Sequence, residues 1–188
     1  MPLLLLKDLP RYECLLEGAK KFPELDPSAC ETYLYLLRTG DEAVRVVERS
    51  LGEHNISSGR FSVLMLLWRA GQGLECSADD SGKSAGPRTP AELADAAGVT
   101  RATMTGLIDT LEKDDFVRRH RDPNDRRMMS VDLTPAGEEL IKKLLPNHFR
   151  MMASLMETLT PEERGTLVRL LNKILQQAIL HRDPSATT

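Results

Sequence analysis

The spacing of hydrophobic positions changes in the middle of the chain. Between residues 89 and 113 the apolar residues recur every three or four positions, as they do in amphipathic helices. From residue 116 to residue 133 the spacing falls to two, which is typical of strands, and residues 122–125 (Asp-Pro-Asn-Asp) favour a turn. The pattern therefore predicts two short helices followed by a β-hairpin with strands at 116–121 and 129–133.

The ends of the two short helices are marked by capping residues. Thr89-Pro90-Ala91-Glu92 predicts a capping box, in which the Thr89 hydroxyl accepts a backbone N–H and Glu92 reaches back. Gly98 follows the first helix at a place where a left-handed residue is expected. Thr100 then caps a second helix, whose inner face consists of Met104, Leu107, Ile108 and Leu111. This order predicts a helix-turn-helix.

The outer face of the second helix has short polar groups and one arginine: Arg101, Thr103, Thr105 and Gly106. A helix that lies in the major groove of DNA needs such a surface, because bulky side chains near its N-terminus would hold the backbone away from the base edges. We therefore predict DNA contacts from the helix caps and this face, at Thr89, Thr100, Arg101, Thr103 and Thr105.

The hairpin concentrates positive charge. Residues 117–127 contain five arginines (118, 119, 121, 126 and 127) against two aspartates (122 and 125), a local excess of three positive charges. An arginine at a hairpin tip suits the narrow minor groove, where the potential of DNA is most negative. The fold class predicted is thus mainly α with a small β-wing, a winged helix-turn-helix joined to a helical dimerisation region. The wing contacts predicted are Arg118, Arg121, Arg126 and Arg127.

The segment 125–134, DRRMMSVDLT, resembles the wing signature of the MarR (multiple-antibiotic-resistance regulator) family, which is Asp-x-Arg, an aliphatic residue, then Leu-Thr before a long helix. Residues 100–105 and Leu111-Glu112 are similar to the recognition helix of that family, and the order of helices matches over residues 28–180. The resemblance implies a bacterial homodimer that usually represses transcription and releases DNA when a small ligand or an oxidant binds.

The resemblance also implies roles for single residues. Arg127 would enter the minor groove, and Asp125 would hold its guanidinium in place. Many family members carry Arg where this chain has Gly106, so the expected base readout moves to Arg101, Thr103 and Thr105.

The composition fits a protein of this kind. At 188 residues, with 41% hydrophobic and 28% charged residues, the chain is long enough for a core and ordinary for a soluble globular protein. A net charge of −3 does not exclude DNA binding, provided that the charge is segregated. Three cysteines make no disulfide framework, which predicts a reducing cytoplasm. We found no membrane-length apolar run and no signal peptide, so we expect no membrane partner.

Enzymatic and metal-binding interpretations find little support in the sequence. The chain has no Walker-type Gly-rich phosphate loop, no C-x-x-C and no H-E-x-x-H, which predicts a protein that is not an enzyme. Its histidines (54, 120, 148 and 181) have no close ligand spacing, so no metal or cofactor is predicted.

We predict six segments along the chain. They are an N-terminal arm with a short helix from residue 9 to 21 (1–25), dimerisation and core helices (26–71), a flexible Gly- and Ser-rich loop (72–88), the winged helix-turn-helix (89–134), C-terminal dimerisation helices (135–182) and a frayed tail (183–188).

Within 26–71 the predicted buried stripe is Tyr33, Leu36, Leu37, Val44, Val47 and Leu51. Pro146 is expected to bend its helix or break its hydrogen-bond ladder. A twofold dimer would read a pseudo-palindromic operator with half-site centres about 10 bp apart.

The resemblance also points to an effector pocket between the dimerisation helices and the DNA-binding lobe. Its candidate lining residues are Tyr33, Arg38, Arg60, Phe61, Met65, Trp68, His148 and Met152. An apolar cleft with one or two cationic groups suits a small aromatic carboxylate or a phenolic compound. The same helical spacing also fits ordinary core or surface positions.

Two alternatives to a ligand-released repressor stay open. The first is a thiol-based sensor at Cys30. Peroxide-sensing relatives place their reactive cysteine in this helix, but Cys30 is about one turn too early and Leu34 stands where a Tyr is expected. The second is a DNA-binding protein with an architectural role and no ligand. A defined operator and ligand-dependent release distinguish a regulator from it.

Overall fold

We describe a computed structural model of the chain, for residues 8–72, 89–121 and 129–182. Its elements are α1 (Tyr12–Lys21), α2 (Pro27–Gly52), α3 (Ser58–Gly71), α4 (Pro90–Ala97), α5 (Arg101–Lys113), β1 (Val117–Arg121), β2 (Met129–Leu133), α6 (Pro135–Leu155) and α7 (Pro161–Arg182). This order confirms a mainly α fold with a small wing sheet. The predicted turn at 122–125, the wing residues Asp125, Arg126 and Arg127, the predicted loop beyond residue 72 with the third cysteine, Cys76, and the tail at 183–188 lie outside the described residues.

The chain divides into two compact units, Met1–Pro146 and Asn147–Thr188. The core of the first unit is formed by α3, α4, α5, the sheet and the first half of α6. Its fully covered side chains include Leu64, Leu93, Met104, Ile108, Val131 and Ile141. These are the apolar positions of the helical and two-residue patterns, so the periodicity correctly marked the inner faces.

The helix caps confirm the predicted helix-turn-helix. Thr89 and Glu92 form the capping box of α4, and Gly98 ends that helix with a left-handed backbone at φ 64°. Thr100 caps α5, because its hydroxyl accepts the backbone N–H of Thr103 at 3.1 Å. These local bonds fix where α4 ends and where α5 begins.

The hairpin is antiparallel, with Val117 opposite Leu133 and Arg121 opposite Met129. A buried hydroxyl links it to α6: Thr134 donates to the Asp115 carbonyl at 2.5 Å and accepts the Gly137 N–H at 3.0 Å. At Gly137 an added Cβ would lie 2.0 Å from the Phe116 carbonyl oxygen. Glycine is therefore required where α6 begins against the start of β1.

Several predicted details were wrong. Helix α1 begins at Tyr12, three residues after the predicted start, and β1 begins one residue later than expected, at Val117. In the predicted stripe of α2, Leu51 is buried, but Tyr33 is 60% exposed and Val44 is 52% exposed. Helical periodicity correctly gives an apolar face, but no element in the described part of this single chain covers these two side chains. Helix α6 spans Pro135–Leu155 and includes Pro146, and the bend or the broken hydrogen-bond ladder expected there stays a prediction.

Candidate nucleic-acid interface

Helix α5 separates a buried side from an exposed side. Met104, Ile108 and Leu111 are completely buried on its inner side. Arg101, Thr103, Thr105 and Gly106 are exposed on its outer side, as the sequence predicted. The helix therefore offers solvent a surface of small and short polar groups with one cation, whose shape fits a major groove.

The threonine hydroxyls on this surface already have partners within the helix. The Thr100 and Thr103 hydroxyls share a hydrogen bond of 2.9 Å, and the Thr105 hydroxyl donates to the Arg101 carbonyl at 2.9 Å. Their oxygen atoms keep acceptor capacity. Among the described residues Arg101 makes no side-chain hydrogen bond or ion pair, so its guanidinium donors on this face remain available for an acceptor.

Thr89 has a different position from the other predicted contacts. It is buried, its N–H donates to the Glu92 carboxylate at 3.0 Å, and its hydroxyl donates to the same oxygen at 2.9 Å. Thr89 thus holds the start of α4. A direct DNA contact from this residue stays a prediction.

The arginines of β1 do not all serve the same purpose. Arg118 and Arg121 are exposed, and within the described part of the chain neither forms an ion pair. Arg119 instead faces α5, where it pairs with Glu112 at 2.8 Å and with Asp109 at 2.5 Å. The local charge excess counted from the sequence therefore overstates the charge offered to DNA, because Arg119 is neutralised by α5.

A second ion pair also lies in the C-terminal part of α5. Arg60 of α3 pairs with Asp114, the C-cap residue of α5, and its guanidinium lies 5.9 Å from the centroid of the Phe116 ring. Neither this pair nor the Arg119 cluster was predicted, because each joins residues on separate elements. The acidic side chains at 109 and 112, one turn apart on α5 and followed by an arginine-rich strand, were the available signal for the Arg119 cluster.

The predicted effector residues occupy different environments. Phe61 is 6% exposed and belongs to the core, whereas Met65 and Trp68 are partly buried against it. Arg38 pairs with Glu42 at 2.6 Å, and Tyr33 is exposed. The indole nitrogen of Trp68 is buried with no hydrogen-bond partner among the described residues. His148 and Met152 belong to the second unit, and burial lowers the pKa of His148 below its usual value.

Within the described ranges, the cysteines and the side chains that can bind metals form no second candidate site. Cys30 is half-buried in the first turns of α2 and Cys14 is exposed on α1. No group of three or more His, Cys, Asp or Glu side chains in residues 8–72, 89–121 and 129–182 is placed to hold a metal ion. Over the same ranges, no helix is both long and apolar enough to cross a membrane.

A recognition helix with an exposed, short-chained face, followed by a two-stranded wing with outward arginines, defines the class: this is a winged helix-turn-helix DNA-binding protein. The sequence model of the MarR family matches residues 83–129 of this chain. The HTH-type transcriptional repressor YetL of Bacillus subtilis is 32% identical over 178 residues, which are 95% of this chain and 99% of that protein. The chain belongs to the MarR family of transcriptional regulators.

Solved structures agree with this assignment. BpsR of Bordetella bronchiseptica, whose DNA binding is regulated by 6-hydroxynicotinic acid, matches with a TM-score of 0.59 and 25% identity over 77% of this chain and 98% of its own. MepR of Staphylococcus aureus in complex with DNA matches in fold, with a TM-score of 0.62 and 22% identity over 78% of this chain and 96% of its own. The family consists of DNA-binding regulators, which confirms the expectation that the chain is not an enzyme.

Proposed function

We propose that this protein is a cytoplasmic repressor that binds a pseudo-palindromic operator as a homodimer and leaves it when a small aromatic acid or phenolic compound binds. The proposed DNA binding rests on the outer face of α5. There the Arg101 guanidinium has donors available, and the neighbouring side chains are short. Arg118 and Arg121 extend this cationic surface along β1. The similarity to YetL, a repressor, supports the sign of regulation.

The apolar surface of α7 supports a homodimer. No residue of this 22-residue helix is buried, although Leu171, Ile174 and Leu175, which share one side of it, are large and apolar, with exposures of 38%, 40% and 55%. A contiguous apolar face of this kind is unfavourable in water and is typical of a protein interface. A second copy of the chain is the occupant we propose, because two recognition helices are needed to read an inverted repeat.

The exposed aromatic side chains of α2 support an effector. Tyr33 and Tyr35 are 60% and 56% exposed, and Arg38 lies on the same helix about one turn after Tyr35. Aromatic groups beside a cation suit an aromatic carboxylate. BpsR, which responds to 6-hydroxynicotinic acid, provides a precedent in a protein of the same fold.

The effector is tested with purified full-length protein on its own upstream promoter, by mobility shift with non-specific competitor. The panel contains 6-hydroxynicotinic acid, salicylate and hydroxybenzoates, with acetate and cyclohexanecarboxylate as non-aromatic controls. We expect at least one aromatic acid to release the DNA and to raise the melting temperature of the free protein, since a ligand shifts the equilibrium only through differential affinity. If no aromatic acid in the panel changes operator binding, the proposal that an aromatic acid or phenolic compound releases the DNA is refuted.

The same assay includes peroxide with and without reductant, and a Cys30→Ser variant. Release by peroxide that thiol reverses, and that Cys30→Ser abolishes, would replace the aromatic effector by a thiol sensor. Light scattering at micromolar concentration tests the dimer, and a monomer under these conditions would contradict it.

A further inference from the structure

Gly106 lies at the centre of the DNA-facing side of α5. The helix turns by about 100° per residue, so the buried positions 104, 108 and 111 define one side of it. On the same wheel Ala102 and Gly106, which are one turn apart, fall almost opposite that buried side, and both are exposed. The row 102–106 is therefore the part of the helix that points most directly into a major groove.

The fold itself gives no reason for glycine at this position. Gly98 is needed for its left-handed φ of 64°, and Gly137 is needed because a Cβ would meet backbone at 2.0 Å. Gly106 has neither constraint: its φ is not positive, and, apart from its chain neighbours and the backbone of its own helix, no heavy atom of the described residues lies within 4 Å of a Cβ built there. Glycine is one of the least favourable residues in a helix interior, so an advantage outside the chain would explain its presence.

The side chains beside Gly106 are short, and their hydroxyl groups already donate hydrogen bonds within the helix. The Thr105 hydroxyl donates to the Arg101 carbonyl at 2.9 Å, and the Thr110 hydroxyl, one turn beyond Gly106, donates to the Leu107 carbonyl at 2.8 Å. The Ala102 methyl group and the bare Gly106 backbone lie beside them. A hydrogen-bond acceptor on a base edge would lose its water against this strip without gaining a donor, which is unfavourable.

The major groove has one apolar group that fits such a strip, the C5-methyl group of thymine. We propose that Gly106 is a specificity-determining residue, which leaves space against the Ala102 methyl group for one thymine methyl in each half-site of the operator. The inference rests on the proposed operator binding. In this account Arg101 donates to acceptors near the helix N-terminus, while the strip selects a thymine by shape and apolar contact.

The test uses deoxyuridine, which differs from thymidine only by lacking the methyl group. An operator is first selected from a random duplex pool by the full-length wild-type protein, and each dT is then replaced by dU in turn. We expect one dT per half-site at which dU weakens binding, by about fourfold for one half-site and about fifteenfold for both, as expected for the loss of one or two buried methyl groups.

Gly106→Ala places a methyl group in the space assigned to the thymine methyl. This variant should bind the dT operator more weakly than wild type does, and its preference for dT over dU at that position should vanish or reverse. Gly52→Ala is the matched control: it also replaces an exposed helical glycine with no described atom within 4 Å of its Cβ, and it should keep the wild-type ratio. A melting temperature at or above that of wild type shows that Gly106→Ala is folded.

Two results would overturn the proposal. One is specific operator binding with no position sensitive to dU. The other is a Gly106→Ala variant that keeps the wild-type ratio of dT to dU affinity. A selection that enriches no sequence at all would instead contradict the proposed operator binding, so the two failures are distinguishable.

Discussion

Arg119 donates twice to Glu112: its backbone N–H reaches Oε1 at 3.0 Å, and its guanidinium reaches Oε2 at 2.8 Å. One carboxylate thus holds both the main chain and the side chain of a wing strand against the recognition helix. Asp109, one turn earlier on α5, holds the other side of the same guanidinium at 2.5 Å. The wing and the helix are therefore coupled as one DNA-reading unit.

Replacement of Glu112 by Ala should destabilise the protein by about 2 kcal/mol, because it leaves the Arg119 backbone N–H and one side of its guanidinium without their acceptor. Glu112→Gln keeps one acceptor oxygen and should cost about half as much. Urea denaturation of both variants measures the difference in the free energy of unfolding. Equal stability of Glu112→Ala and wild type would show that the carboxylate does not hold the wing.

The arginines of β1 should differ in how their replacement changes the salt dependence of DNA binding. The slope of log K against log salt concentration is negative for a DNA-binding protein. Arg118→Ala should reduce its magnitude by about one for each phosphate that the arginine neutralises in the complex. Arg127→Ala should do the same and weaken binding to every sequence. Arg119→Ala should leave the slope unchanged, since this guanidinium already neutralises acids within the protein. Fluorescence anisotropy at several salt concentrations measures all three, and an Arg119→Ala slope that falls with the others would contradict the assignment.

Gly137→Ala should strongly destabilise the fold, by about 3 kcal/mol, because the added methyl group meets the Phe116 carbonyl and the backbone must move. Gly52→Ala serves as the control, since no described atom lies close to its Cβ, and it should be neutral or slightly stabilising. Thermal and urea unfolding compare the two. Similar melting temperatures would mean that α6 does not approach β1 this closely.

The cap of α2 gives a prediction about acid stability. Hydrogen bonds from the Ala29 and Ser28 backbone N–H groups and from the Ser28 hydroxyl lower the pKa of Asp26 below 3.8. The folded state therefore favours the carboxylate, so this contribution to stability is present above pH 3.8 and is lost as the pH falls through the lowered value. Asp26→Asn also caps a helix but does not titrate, so it should match wild type at neutral pH and lose less stability in acid. Unfolding curves of the variant and of wild type from about pH 7 to about pH 2 measure this difference. Equal losses of stability in acid would show that Asp26 does not contribute to the acid sensitivity.

The sequence predicts best what is determined locally. The capping box at Thr89, the left-handed Gly98, the Thr100 cap and the two strands follow from residues only a few positions apart. The pairing of Arg119 with α5 was not predicted, because it depends on how β1 packs on another element. Tyr33 was wrongly placed in the core, since an apolar stripe shows that a face needs covering but not whether the same chain covers it. DNA contacts at Asp125, Arg126 and Arg127 stay predictions.

The central claim is that the α5–wing unit binds one DNA sequence in preference to others. The measurement is the ratio of affinities for the upstream promoter and for a shuffled duplex of equal length and composition, by anisotropy at one physiological salt concentration. Specific regulators bind their sites roughly 10³-fold or more above non-specific DNA. We predict a ratio of that order, with protection of a pseudo-palindromic site. Equal affinity for both duplexes would contradict the account and would leave the protein a general DNA binder.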